Sequence, residues 1–252
     1  MGDVLRANGL VKAFGGVCAV DGVDITVGAG ERVALLGPNG AGKTTTLLML
    51  LGAITADQGT IEMAGYRLPH ERSAAAGQVG FAAGYLPLAE RLRVHEYLRM
   101  YGQLYGVANP SDRIARTLER FGITHLANAM GTELSSGQRT LVGIVKAMIH
   151  EPQLLVLDEP TASLDPDVAR RVRTNLLEIC SERGTALLVT SHNMVEVERL
   201  CERVIFLSHG KVVANGTPDE ITASFGTTDL EALFLHLADR QRAHGTGRSE
   251  TT

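Results

Sequence analysis

Cysteine is scarce and unpaired in this chain: Cys18, Cys180 and Cys201 are odd in number, show no C-x-x-C spacing and sit among apolar or helical residues. That excludes a disulfide framework and reads as reduced, mostly buried thiols of a cytosolic protein. An excess of one charge is lacking too. The net charge of −4 is spread in both signs along 252 residues, which excludes the basic stripe of a nucleic-acid binder and a polybasic membrane anchor. No nucleic-acid partner is expected. No apolar run approaches the length that spans a bilayer. Met1 to Arg6 lacks a signal peptide's charged-then-apolar start, and Arg6 stands where a myristoylation motif wants Ser or Thr. If a membrane is involved, another chain is expected to supply it.

What is present is a glycine loop in a telling place. Gly37-Pro-Asn-Gly-Ala-Gly-Lys-Thr-Thr45 fits G-x-x-x-x-G-K-[ST] and follows the apolar run Arg32-Val-Ala-Leu-Leu36, which reads as a buried strand. Glycines at 37, 40 and 42 let the backbone turn tightly and bring its N–H groups against oxyanions. Lys43 would reach the β- and γ-phosphates, and the Thr44 hydroxyl would face a Mg²⁺ bridging them. Thr45 to Leu51 reads as a helix whose N-terminal dipole adds to the anion site. An ordinary glycine-rich strand-to-helix turn is the alternative. Taken alone, the loop implies an NTPase or nucleotide kinase.

Ahead of the loop, Val4 to Phe14 and Val23 to Val27 alternate apolar and polar residues and predict an antiparallel sheet, extended by the turn–strand–turn reading of Asp57 to Gly65. Phe14 lies among turn residues, where its ring suits either the core or an adenine stack. From Glu71 to His150 the texture is helical, with segments at His95–Tyr105 and Ser111–Phe121, an insertion of roughly 70–80 residues. It ends in Leu134-Ser-Ser-Gly-Gln138 and an apolar helix over 141–149. Ser135 with Gln138 fits an S-x-x-Q capping box, either a plain N-cap or a helix start that meets a phosphate.

Leu154-Leu-Val-Leu-Asp-Glu159 reads as a strand buried on both faces, with two carboxylates at its C-terminal end beside the phosphate loop. In a P-loop NTPase Asp158 would hold Mg²⁺ through a water and Glu159 would polarise the attacking water. Asp165 with Pro166 starts a helix, and the strand Thr185–Thr190 ends at Ser191-His192, again a titratable group at a strand's C-terminal edge. The other histidines read as surface or structural. Arg203–Leu207 and Lys211–Ala214 form a hairpin. A short amphipathic helix follows, opened by a capping box at Thr228–Glu231 and carrying Leu230, Leu233, Phe234 and Leu237 on one face.

These motifs, in this order and over nearly the whole chain, resemble the ATP-binding subunit of an ABC transporter: Walker A at Gly37–Thr44, the signature at Leu134–Gln138, Walker B at Leu154–Asp158 and the switch histidine at His192. The resemblance implies an α/β fold: a P-loop NTPase, RecA-like core with an N-terminal antiparallel β subdomain and an inserted α-helical subdomain. Residues 1–238 would be one ABC-type ATP-binding domain. Within it, 1–70 and 151–225 form the core with its β subdomain, 71–150 the helical subdomain and 226–238 a C-terminal helix, with 239–252 a disordered tail. ATP and Mg²⁺ are the implied cofactors. Nucleotide would lie on Phe14, Gly37, Pro38, Asn39, Gly40, Ala41, Gly42, Lys43, Thr44 and Thr45, with Thr44 and Asp158 on the metal and Glu159, His192 and Lys43 in catalysis. Ser135, Gly137, Gln138 and Asp165 would serve the nucleotide of an opposite subunit, so that no single chain has a complete active site.

Two positions depart from the family pattern. Ser136 replaces the usual second glycine of the signature, and Gly84, in Val79-Gly-Phe-Ala-Ala-Gly84, stands where the Q-loop glutamine belongs. The signature, Ala162–Pro166, Ser191–Met194 and Asp229–Phe234 look like bacterial drug, sodium or polysaccharide exporter ATPases, which pair with separate permease chains. Phe-Gly-Gly16 resembles branched-chain amino-acid importers. The expected protein is an ATPase at the cytoplasmic face of a membrane, bound to an integral-membrane permease and to a second copy of itself or a similar chain. The permease groove is expected near Gly84 to Glu96. A non-hydrolysing, ATP-dependent dimerisation module and a soluble ATPase of DNA repair or translation are the alternatives.

Overall fold

The computed structural model describes residues 2–84 and 88–245, with side chains to residue 239. Alternating burial drives the first sheet. In β1 (Asp3–Phe14) and β2 (Val17–Gly28) inward residues such as Ala7, Val23, Ile25 and Val27 are buried while their neighbours face out. The two strands are longer than the sequence pattern suggested. They meet at Gly15-Gly16, where φ values of 52° and 85° form the two-residue turn that suits a hairpin's twist. With β4 (Gln58–Met63) and β5 (Tyr66–Leu68) they make a four-stranded antiparallel sheet in the order β2-β1-β4-β5.

The second sheet has six strands in the order β10-β9-β3-β8-β7-β6. Its parallel members are β3 (Arg32–Leu36), β6 (Val79–Ala83), β7 (Leu154–Asp158), β8 (Ala186–Thr190) and β9 (Arg203–Ser208); β10 (Lys211–Gly216) returns antiparallel beside β9. Strand runs with no polar alternation fit a sheet covered on both faces. Val33 and Leu35 pack with the first sheet and with α1 (Lys43–Leu50), whereas Ala34 and Leu36 face the helices on the other side.

Those helices are α3 (Val94–Leu104), α4 (Pro110–Arg120), α5 (Ser136–Met148), α6 (Pro166–Arg183) and α7 (Met194–Leu200), with the short α2 (Arg72–Ala76) ahead of β6. The stretch 71–150, read from sequence as helical, therefore contains a strand of the main sheet. Gly80 shows why: a Cβ there would lie 2.0 Å from the Ala147 carbonyl, so small residues let α5 lie directly on β6. Two further helices follow β10, α8 (Pro218–Phe225) and α9 (Leu230–Gly245). The last helix starts later than 226 and continues past Asp239; residues 246–252 of the expected tail lie outside the described residues. Its cap is Asp229, not Thr228, since Asp229 Oδ1 accepts from the Ala232 N–H at 2.7 Å. Cys180 and Cys201 are buried, and burial pushes the Cys180 thiol up to about 11. Cys18, expected among the buried thiols, is exposed on β2. Among the described residues no helix is long and apolar enough to cross a membrane.

Candidate active site

Backbone crowding dictates the glycines of the phosphate-loop pattern. Gly37 has φ 147° and a Cβ there would meet the Leu207 carbonyl at 2.3 Å; Gly42 has φ 102° and its Cβ would meet the Ala19 carbonyl at 2.5 Å. No side chain caps α1 and no acid stands in its first turn, so its leading N–H groups are available to an anion. Lys43, the first helical residue, folds over the loop: Nζ donates to the Gly37 carbonyl at 2.5 Å and to that of Pro38 at 3.2 Å. Burial lowers its pKa, and the charges of Glu159 and Asp158 oppose that drop. Residues more than a hundred positions apart in sequence thus share one electrostatic centre, at the C-terminal ends of β3, β8 and β7. Thr44 is exposed at this edge and Thr45 half-buried.

The carboxylates are held by Thr190, at the end of β8. Its hydroxyl donates to Asp158 Oδ1, and the Glu159 N–H donates to the Thr190 carbonyl at 3.2 Å. Glu159 adopts φ 53°, a left-handed conformation that a side chain disfavours. The turn aims its carboxylate at the switch position: the His192 N–H donates to Oε2 at 3.3 Å, and His192 Nε2 lies 3.3 Å from Oε1. Burial raises the Glu159 pKa above the ordinary value, against the lowering pull of His192 and Lys43. A raised carboxyl beside an exposed cleft suits a group that accepts a proton.

A second locus lies apart from the first. Ser135 caps α5, accepting from the Gln138 N–H at 3.2 Å, while Gln138 Oε1 accepts from the Ser135 N–H at 2.9 Å. A Cβ on Gly137 would sit 2.8 Å from the Ser163 carbonyl, so the helix start is pressed against the loop after β7. Ser135, Gly137, Gln138 and Asp165 line one cleft of about 300 Å³, which no residue of the phosphate loop enters. Asp165 precedes Pro166 as expected, yet its side chain makes no capping hydrogen bond. Phe14 is 51 % exposed at the hairpin tip, with Lys12 Nζ 5.6 Å from its ring centroid. The ring is therefore not core.

Lys43, Thr44, Asp158, Glu159 and His192 are thus gathered at one sheet edge, while the signature group and Asp165 are gathered elsewhere. The sequence reading missed Thr190, whose signal is a hydroxyl at a strand end beside the carboxylate strand. It also missed α8, although Thr217-Pro218-Asp219-Glu220 is a capping box with proline at the first helical position. Gly84 follows β6, and among the described residues a Cβ there would meet Thr140 Oγ1 at 3.8 Å. Residues 85–87 of the expected permease groove lie outside the described residues.

The family model for the ABC transporter matches residues 20–162. The chain is 34% identical over 234 residues to the linearmycin resistance ATP-binding protein LnrL of Bacillus subtilis (strain 168), covering 92% of this chain and 75% of that protein. It is 39% identical over 225 residues to the Nod factor export ATP-binding protein I of Burkholderia lata, covering 88% and 74%. To the daunorubicin/doxorubicin resistance ATP-binding protein DrrA of Streptomyces peucetius it is 34% identical over 234 residues, covering 92% and 70%. A solved structure described as the ATP-binding subunit of an ABC transporter superposes with a TM-score of 0.85 at 31% identity, covering 93% of this chain and 99% of that one. With its phosphate loop and carboxylate pair at one sheet edge, the chain belongs to the ABC transporter family, as an ATP-binding subunit that hydrolyses ATP.

Proposed function

We propose that this ATPase works as a dimer in which each nucleotide is held between the phosphate loop of one chain and the Ser135–Gln138 helix start of the other, and that closure drives a separate membrane permease to export its cargo. One observation carries the reading. The phosphate loop lies in one place, and the capped helix start at Ser135, with Asp165, lines a cleft elsewhere that no residue of that loop enters. Export is supported by the relatives, whose names speak of drug resistance and Nod factor export. The permease would place the chain at the cytoplasmic face of a membrane.

The residues divide the work by chemistry. Phe14 offers an exposed face to the adenine. The N–H groups of the loop and of the α1 start, with Lys43, would surround the β- and γ-phosphates and stabilise the charge that builds on the transferring group. Lys43 is preorganised for this by resting on the Gly37 and Pro38 carbonyls. A divalent cation fits the donors at this edge. Thr44 and Asp158 supply the hard oxygens such a cation takes. Bound there, Mg²⁺ would neutralise phosphate charge. Thr190 keeps Asp158 aimed. Glu159 would take the proton of water as the water oxygen bonds to the γ-phosphorus and the bond to ADP breaks. His192 would hold the Glu159 carboxylate and the departing phosphate. Asp165, uncapped and exposed, would reach the partner's site.

The test is Glu159→Gln, which preserves shape and removes the base. ATP binding should stay within a few-fold of wild type while turnover falls by about a hundred-fold or more. Unchanged turnover would remove Glu159 from its role, and turnover absent from the wild type would favour a module that only dimerises on ATP.

A further inference from the structure

The C-terminal helix forms one wall of the cleft that holds the catalytic carboxylate. Leu230, Leu233 and Leu237 of α9 are buried in the core, a stripe at helical spacing that fixes how the helix is rotated. Its start is tied twice, by the Asp229 cap and by Glu198 of α7, whose Oε1 accepts from the Leu230 N–H at 3.5 Å. This rotation sets Phe234 between the core and the switch. Its ring centroid lies 6.1 Å from that of Phe206 at 58°, and 6.1 Å from that of His192 at 88°, an edge-to-face contact. Glu231, one turn earlier, lines the same cleft of about 510 Å³ as Glu159 and His192.

His192 needs such a wall. Its side chain is 49% exposed, and Nε2 approaches Glu159 Oε1 at 3.3 Å. An imidazole that free in solvent samples several rotamers, and only some point at Glu159. We propose that Phe234 is a positioning residue for ATP hydrolysis: edge-to-face contact with His192 holds the imidazole in the rotamer that meets Glu159, so that the C-terminal helix forms part of the switch. This rests on the role given to His192 above. Phe234 is proposed to act through the histidine. An aromatic pair of this geometry biases an equilibrium by about two- to ten-fold, which sets the size of the effect.

The experiment compares Phe234→Leu and Phe234→Tyr in the whole chain, each alone and combined with His192→Ala, reading kcat and KM for ATP. Leucine keeps most of the apolar volume against Phe206, so the fold should persist, and tyrosine keeps the ring edge. Phe234→Leu should lower kcat about two- to ten-fold with KM unchanged, and Phe234→Tyr should stay near wild type. In the His192→Ala background Phe234→Leu should add no further loss, and the imidazole carbon–proton resonances of His192 should move in Phe234→Leu but not in Phe234→Tyr. A Phe234→Leu enzyme with wild-type kcat, or with the same fold-loss in both backgrounds, overturns the proposal. If His192→Ala alone left hydrolysis unchanged, the role of His192 would fall and the proposal with it. A slow His192→Ala enzyme beside a normal Phe234→Leu enzyme would overturn only the proposal.

Discussion

Glu159 pays a conformational penalty for its position, and that penalty can be isolated. Its φ of 53° lies in the left-handed region, where a Cβ costs about 1–2 kcal/mol. Glycine escapes that cost but loses about 0.5–1 kcal/mol more backbone entropy on folding. Comparing Glu159→Gly with Glu159→Ala cancels the electrostatics, because both variants lose the half-buried carboxylate and its contact with His192. The remaining difference should favour glycine by about 0.5–1 kcal/mol, the reverse of an ordinary strand or helix position. For a chain of this size that is about 1–4 °C in melting temperature. Thermal unfolding followed by circular dichroism, without nucleotide, reads it directly, and both variants should have lost hydrolysis. An alanine variant melting at or above the glycine variant would show that the turn after β7 does not hold this backbone in solution, and the aim of the carboxylate would need another cause.

Two further outcomes follow from packing and charge. Gly80→Ala should cost more than about 2 kcal/mol, since the new methyl meets a helix carbonyl that cannot swing aside, whereas Gly84→Ala, whose methyl would have Thr140 Oγ1 at 3.8 Å as its neighbour among the described residues, should melt within about 2 °C of wild type; equal melting temperatures would contradict the close seat of α5 on β6. Glu31 is the second case. Burial works to raise its pKa, but hydrogen bonds from Arg203 and the Gly28 N–H outweigh it and hold the carboxyl below 4.5. A depressed folded-state pKa means stabilisation that is complete above pH 4.5 and lost as the pH falls through the folded value. Glu31→Gln should therefore be less stable than wild type by about 1–2 kcal/mol at neutral pH, with the gap closing on acidification; a gap independent of pH would contradict it.

Much of the site could be read in advance because its chemistry demands local patterns. The phosphate loop needs glycine where the backbone is crowded, and a strand covered on both faces needs an unbroken apolar run, so Gly37 to Thr44, Arg32–Leu36 and Leu154–Asp158 were visible as they stand. What was hidden depends on partners distant in the chain. β6 carries glycine and alanine because α5 lies against it, which disguises a strand as a weak helix. Nothing in a run of letters marks Glu159 as left-handed, a conformation in which its N–H bonds to Thr190 of the neighbouring strand. The cap of α9 was misplaced by one residue because Thr228 and Asp229 both suit a cap; the Thr228 hydroxyl in fact donates to Asp229 at 2.9 Å. Phe234 read as one more member of an apolar stripe. Only packing shows that the three leucines fill the core and leave the ring facing His192.

The central claim is that a second chain completes the catalytic centre, and the mass of Glu159→Gln in solution tests it most directly. Light scattering on this variant should give 26.9 kDa without nucleotide and twice that mass with Mg-ATP, and adding Ser136→Arg, an exposed lining residue of the signature cleft, should abolish the doubling while ATP still binds. A mass that stays at one chain with Mg-ATP bound, or a dimer indifferent to Ser136→Arg, would contradict the shared site.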